Sequence, residues 1–289
     1  MTQPKNMNLT APDGIVEIPK LGFGVFQVDD GDVDEAVAAA LGAGYRHIDT
    51  AAAYGNEEGV GRALAAAPYP RSDLFITTKL WNSDQGDLET VRAALTSSLE
   101  KLGLDYIDLY LIHWPVPSAE LYLESFRAML ALQGEGLIRA VGVSNFDEEH
   151  LQRLFDMTGQ WPAINQVELH PYFQQSSLRA FHDKHGIVTE AWSPLGQNNG
   201  ILEDVTLQEV AAEHDCTPAQ AVLAWHQQNN VVAIPKSVTP ARISENFASL
   251  NVELDDRCMK QIGKLDKGEQ GRIGPVPAEF DADAPDTDD

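Results

Sequence analysis

Seven residues capable of chemistry stand at or just after the ends of short apolar runs: Asp49, Lys79, His113, Ser144, Gln166, Trp192 and Lys236. A carboxylate and an ammonium taken out of water together hold each other charged, and an imidazole can exchange a proton or donate a hydrogen bond. Hydroxyl, amide and indole groups can orient a flat polar ligand. A second constellation begins at the last of these residues. Lys236-Ser237-Val238-Thr239-Pro240-Ala241-Arg242-Ile243 reads as a strand end entering a helix, with Thr239 at the N-cap and Pro240 at the first helical position. Arg242 then falls in the first turn, where a cation opposes the helix dipole at a cost of about 0.3–1 kcal/mol. A bound anion held by Lys236, Ser237, Arg242 and the free backbone N–H groups resolves that conflict; the plainer alternative is a capped surface helix with an incidental arginine. No H-x-x-x-H or C-x-x-C spacing accompanies the acid and the histidine, so no metal is expected.

Positioning such residues requires a scaffold that brings strand ends together. Runs rich in β-branched and apolar residues, at 21–25, 46–48, 74–78, 106–112, 137–143, 163–165, 187–191 and 231–234, alternate with segments of helical period. Eight such units in 289 residues predict a closed (β/α)8 (TIM) barrel, whose strands aim their C-terminal ends at one face. An open doubly wound sheet is the competitor, but neither G-x-G-x-x-G after the first strand nor G-x-x-x-x-G-K-[ST] occurs. Pro12-Asp13-Gly14 between two short strand-like runs predicts an N-terminal β-hairpin plugging one barrel end. No linker divides the chain, so one domain over 1–280 is expected, followed by an acidic solvated tail at 281–289. Cys216 and Cys258 are expected in helices as inert thiols.

Several ordered segments carry a resemblance: Gly44-Tyr45-Arg46-His47-Ile48-Asp49-Thr50-Ala51 with Tyr54-Gly55-Asn56-Glu57, Thr78-Lys79-Leu80-Trp81 and Leu111-Ile112-His113-Trp114-Pro115. Gly142-Val143-Ser144-Asn145-Phe146, Asn165-Gln166-Val167-Glu168-Leu169-His170-Pro171 and Ile234-Pro235-Lys236-Ser237 continue it. Together they span nearly the whole chain, which resembles the aldo-keto reductases, NADP(H)-dependent carbonyl reductases built on this barrel. The bacterial members that include 2,5-diketogluconate reductases are the most similar group. The resemblance implies a catalytic tetrad of Asp49, Tyr54, Lys79 and His113, and an NADPH site. Tyr54, with an ordinary pKa of about 10, matches the alkoxide that hydride addition leaves on a carbonyl. Lys79 would stabilise the phenolate, Asp49 would keep Lys79 charged, and His113 would polarise the carbonyl.

The same resemblance makes the anion at Lys236, Ser237 and Arg242 an adenosine 2′-phosphate, and assigns adenine contacts to Glu245 and Asn246. Ser144, Asn145 and Gln166 would bond the nicotinamide carboxamide, Trp192 would stack on the ring, and Ser193, Leu195 and Gly196 would pass over the pyrophosphate. Phe26, Trp81 and Trp114, with His113, are expected to wall the carbonyl pocket, and short neighbouring loops predict an open site with loose selectivity. The segment from Lys267 to Pro277 is expected to lie over it. The expected reaction is carbonyl-to-alcohol reduction on a small aldehyde, ketone or keto-sugar. A non-catalytic or redox-sensing NADP(H)-binding accessory protein on the same barrel is the alternative.

Composition bounds these readings. The 44 acidic against 20 basic residues leave a formal charge of −24, which disfavours nucleic acid and anionic membranes as partners. The cations that meet a dinucleotide must therefore be concentrated at one face, and the excess acid spread over the outer helices, as suits high ionic strength. Two cysteines, no apolar leader and no long apolar run predict a cytoplasmic protein, by default a monomer.

Overall fold

The computed structural model describes residues 6–12 and 14–283. Eight parallel strands succeed one another in chain order: β3 (Phe23–Gly24), β4 (His47–Asp49), β5 (Phe75–Leu80), β6 (Ile107–Ile112), β7 (Ile138–Ser144), β8 (Ile164–Glu168), β9 (Val188–Trp192) and β10 (Val231–Ala233). A parallel bridge between Leu21 and Ala233, with Gly22 N donating to Ala233 O and Gly24 N to Pro235 O, joins the last strand to the first and closes the barrel. The strands are buried along almost their whole length, as a parallel sheet covered by helices must be.

β1 (Asn6–Ala11) and β2 (Gly14–Pro19) form the expected antiparallel hairpin. Their alternate residues Leu9, Val16 and Ile18 pack on Phe75, Leu109, Ala140, Ile164 and Val232 inside the barrel. The hairpin therefore plugs the end opposite the strand C-termini. Asp13, the middle of the expected turn, lies outside the described residues.

Helices α1 (Asp30–Ala43), α2 (Glu57–Ala66), α3 (Leu88–Leu102), α4 (Tyr122–Gly134), α5 (Glu148–Thr158) and α6 (Ser176–His185) form the outer layer with α7 (Val205–Glu213), α8 (Pro218–Gln228), α9 (Pro240–Ala248) and α10 (Asp256–Gly263). Local chemistry sets their ends. The Asp87 and Asp147 carboxylates accept from Thr90 N and His150 N to cap α3 and α5, and Thr217 with Gln220 forms a capping box on α8. Cys258 lies in α10 as expected, but Cys216 does not lie in a helix: it occupies the turn between α7 and α8, half-buried. The capping box starts α8 only at Pro218, which leaves that residue outside. No described helix is long and apolar enough to cross a membrane.

At the plugged end, the buried Asp108 carboxylate takes ion pairs from Arg71 and Arg139, each at 2.6 Å, and accepts from Ile76 N at 2.9 Å. Removing it takes the shared carboxylate from two partly exposed guanidinium groups and leaves the buried Ile76 N–H without its acceptor, so Asp108→Ala should cost about 1–3 kcal/mol in urea unfolding. Arg139→Ala should cost less, because Arg71 remains paired.

Candidate active site

β4 and β5 place Asp49 and Lys79 side by side inside the barrel mouth. Lys79 Nζ, fully buried, donates to Asp49 Oδ1 at 2.6 Å and to Thr50 O at 2.8 Å, and reaches the Tyr54 hydroxyl at 3.4 Å. Tyr54 ends a short 3-10 turn (Ala52–Tyr54). Asn56 locks the following segment: its Nδ2 donates to Val25 O and Val28 O, and its Oδ1 accepts from Thr50 Oγ1. That lock also fixes the loop carrying Phe26, whose ring lies 5.1 Å from that of Tyr54. His113, one residue past β6, sets its ring edge-on to Tyr54 at 5.6 Å and to Trp81 at 5.0 Å. The four tetrad residues thus meet at one point.

Their protonation states follow from burial and charge. Burial pulls the Lys79 ammonium down, but Asp49 and Tyr54 outweigh it and leave its pKa raised, so it stays charged. Burial pushes the Tyr54 phenol up against the pull of Lys79, and the net direction is upward. The lysine therefore limits the rise rather than producing a lowered value, and Tyr54 is a protonated donor at neutral pH. Burial, then Lys79, hold His113 well below its ordinary range, so its imidazole is neutral.

A cleft of about 1050 Å³ runs from these residues to the start of α9, lined by Trp81, Trp114, Trp192, Lys236, Ser237 and Arg242 among others. The 195–203 loop and the first part of α9 border its far end. Thr239 stands at the N-cap of α9, yet its side chain does not cap, and Arg242 lies exposed in the first turn. Every other arginine of the chain makes a hydrogen bond or ion pair; Arg242 makes none among the described residues, nor does Lys236. Two unpaired cations beside free helix N–H groups, in so acidic a chain, fit a phosphate group. Glu245 and Asn246 follow on the same helix. The Glu245 carboxylate accepts from Thr217 Oγ1 at 2.8 Å, and Asn246 is buried.

At the barrel end of the cleft the expected carboxamide contacts divide. Trp192 Nε1 donates to Asn145 Oδ1 at 2.7 Å, and Asn145 Nδ2 donates to His113 O and Ser144 Oγ. Asn145 is thereby occupied in aiming the indole. Gln166 gives its Nε2 to both Asp49 Oδ2 and Glu190 Oε2, each at 2.8 Å, which leaves its carbonyl oxygen as the group to meet a ligand. Ser193 adopts a left-handed φ of 48° where the chain leaves β9 toward Leu195 and Gly196.

Two buried acids escaped the sequence reading. Glu190 on β9 lies beneath Gln166 with no exposure. Glu168, ending β8, accepts from Ile273 N and Gly274 N, both at 2.7 Å, and from His170 Nε2 at 3.1 Å, pinning the C-terminal segment over Trp192. A Cβ on Gly274 would meet Trp192 Cη2 at 2.5 Å, so only glycine lets the backbone pass that close. An acid in an otherwise apolar strand, in step with Gln166 or Trp192 at period two, was the available signal. The segment also reaches further than expected. Phe280 packs on Trp114 with ring centres 4.2 Å apart, and Asp281, Ala282 and Asp283, read as tail, bond to Ser118 N, Asn82 Nδ2 and Trp81 Nε1. Donors on the loops after β5 and β6 hold these residues, and the mouth is narrower than the short loops implied. The tail beyond Asp283 lies outside the described residues.

A closed parallel barrel with an Asp-Tyr-Lys-His cluster at its C-terminal face defines a class, and the Aldo/keto reductase family model matches residues 20–267. The chain belongs to that family. It is 52% identical over 269 residues to the methylglyoxal reductase DkgA of Salmonella typhimurium, an alignment covering 93% of this chain and 96% of the relative. The crystal structure of an aldo/keto reductase from Brucella melitensis is 51% identical, with a TM-score of 0.87 over 91% of this chain and all (100%) of that one. That of a Gox0644 variant in complex with NADPH is 41% identical, with a TM-score of 0.89 over 96% of this chain and 99% of that one.

The buried groups bound the pH range of the fold. Burial is the largest cause holding His47, His182 and His226 down to about 3, and it lowers His113 as well. The unfolded chain protonates these sites below about pH 6.5 while the folded one does not, so stability falls as pH drops from there. Glu190 runs the other way. Burial and then Asp49 push it up to about 8, so its contribution is full below the ordinary carboxylate range and is lost as pH rises through about 8. Urea midpoints should therefore peak near about pH 6.5, falling toward acid as the histidines lose their contribution and declining more gently up to about pH 8 as that of Glu190 is lost. A midpoint still rising below pH 6 contradicts these assignments.

Proposed function

We propose that this protein reduces the carbonyl group of small aldehydes and ketones, keto-sugars among them, to alcohols with NADPH. Tyr54 is its proton donor. The observation that carries this reading is the placement of a protonated phenol 3.4 Å from a fully buried ammonium, itself paired with Asp49 at 2.6 Å. When bound, NADPH supplies the hydride. As negative charge develops on the carbonyl oxygen, the Tyr54 O–H donates to it, and Lys79 stabilises the phenolate that remains. Neutral His113 donates a ring N–H to the same oxygen, polarising and orienting it. Asp49 holds Lys79 in place and charged. Phe26, Trp81 and Trp114 set apolar aromatic faces along the cleft beside these groups.

Lys236, Ser237, Arg242 and the N-terminus of α9 would hold the 2′-phosphate of the cofactor, with Glu245 and Asn246 beside the adenine. Trp192, Ser144 and the Gln166 oxygen would receive the nicotinamide, with Asn145 aiming the indole and Ser193, Leu195 and Gly196 crossing the pyrophosphate. This donor set supports NADPH over NADH because unpaired Arg242 matches a charge that NADH lacks. The names of the relatives point to methylglyoxal as the first aldehyde to test. All residues invoked come from one chain, so we propose a monomer, working in the cytoplasm without a metal ion.

Purified protein should oxidise NADPH in the presence of methylglyoxal or an aromatic aldehyde, with or without chelator. Tyr54→Phe should lower kcat by about 10²–10⁴ while NADPH still quenches tryptophan fluorescence. Cofactor binding without turnover by the unaltered protein would instead support the accessory, redox-sensing role. Arg242→Ala should raise the Kd for NADPH about tenfold or more and leave that for NADH nearly unchanged, since a charge-assisted pair is worth about 1.5–3 kcal/mol.

A further inference from the structure

The carbonyl end of the cleft has an electrostatic asymmetry that its aromatic walls conceal. The cations lining the cleft among the described residues are Lys236 and Arg242, and both follow β10. Trp81 and Trp114 follow β5 and β6, which lie across the barrel from β10 in the strand order. Lys79, the nearest ammonium to the reacting atoms, is beneath them, fully buried and already paired with Asp49. No basic side chain among the described residues lining this end could meet a negative charge on a substrate.

An acid stands there instead. Asp283 lines the cleft, and its Oδ2 accepts from Trp81 Nε1 at 3.2 Å. Trp81 in turn sets its ring 5.0 Å from that of His113. The position of Asp283 is built. Phe280 stacks on Trp114, the Asp281 carboxylate accepts from Ser118 N at 3.2 Å, and Ala282 O accepts from Asn82 Nδ2 at 2.8 Å. These contacts tie the segment to the loops after both strands, and the aspartate ends over the pocket wall. Asp281 adds a second negative charge at the same rim.

We infer that Asp283, held by Trp81 at the mouth of the carbonyl pocket, selects neutral substrates and disfavours those bearing a carboxylate, such as 2-oxo acids and keto-sugar acids. The inference rests on the carbonyl-reductase reading and names its substrate class. A carboxylate on a substrate whose carbonyl lies between Tyr54 and His113 enters a space walled by Trp81, Trp114 and Phe280. It finds no cation there and approaches Asp283. Like charges brought within several ångströms at the protein surface repel enough to change affinity about tenfold. Aldehydes and ketones that present hydroxyl or methyl groups on that side meet only aromatic faces and an acceptor carboxylate, to which a hydroxyl can donate.

The test compares two aldehydes of the same shape, para-formylbenzoate and para-formylbenzamide, at fixed salt, in the unaltered protein and in Asp283→Asn and Asp283→Glu. The ratio of kcat/KM for the anion to that for the amide should rise about tenfold in Asp283→Asn, through KM rather than kcat, and stay low in Asp283→Glu. In the unaltered protein the ratio should climb toward the Asn value as salt is raised to about 1 M, where charges are screened beyond about 3 Å. Binding of para-hydroxymethylbenzoate, the alcohol product, followed by calorimetry with cofactor present, should tighten in Asp283→Asn to the same degree. An unchanged ratio in Asp283→Asn, or a ratio indifferent to salt, overturns the inference while leaving the reductase reading intact. Absence of turnover with both aldehydes and with methylglyoxal overturns the reductase reading itself.

Discussion

The buried ion pair between Lys79 and Asp49 is the constraint around which the rest of the molecule is arranged. Taking an ammonium and a carboxylate out of water costs several kcal/mol for each ion, and their mutual attraction offsets this only when the remaining donors and acceptors are satisfied. Here Thr50 O takes a second Lys79 proton and Gln166 Nε2 covers the second Asp49 oxygen. Satisfying the pair therefore requires β4, β5 and β8 to stand at fixed heights, and Gln166 draws in Glu190 from β9. Half the barrel, β4, β5, β8 and β9, is tied together through this one polar network. The apolar interior and hairpin plug below keep water from reaching the pair from the other end.

Charge is distributed accordingly. The chain carries far more acid than base, yet its unpaired basic groups at the cleft, Lys236 and Arg242, stand together at one end of it, and its buried acids beside the cleft are each tied to a donor that must be aimed. Glu190 and Asp49 share the Gln166 amide, which turns its oxygen outward. Glu168 gathers two backbone N–H groups from the C-terminal segment and so places Gly274 against Trp192. Acidic side chains in the core thus act as assembly points for polar backbone and amide groups.

The barrel was legible because its strands are short β-branched runs separated by helices of clear period. Asp49, Lys79, His113 and Trp192 could be found because strand ends in such a fold converge. Tyr54 could not be placed by that rule, since it ends a 3-10 turn rather than a strand, and it came from the resemblance. Glu168 and Glu190 were missed because an acid within an apolar run resembles an ordinary interruption until its partners are visible, and those partners are distant in sequence. The start of the tail was misread for a related reason. Asp281 and Asp283 have the composition of a solvated end, and what holds them is a loop N–H and an indole contributed by other parts of the chain.

The seam formed by Glu168, Gly274, Phe280 and Asp283 also orders events during synthesis. Asp49, Tyr54, Lys79, His113 and the turn carrying Lys236 and Arg242 all precede residues 273–283, the segment that crosses the mouth of the cleft between Trp192 and Trp81. A nascent barrel would thus leave these groups in an uncovered groove until that segment is in place. The two described ends also lie at opposite poles, with the hairpin sealing the floor and Asp283 at the entrance.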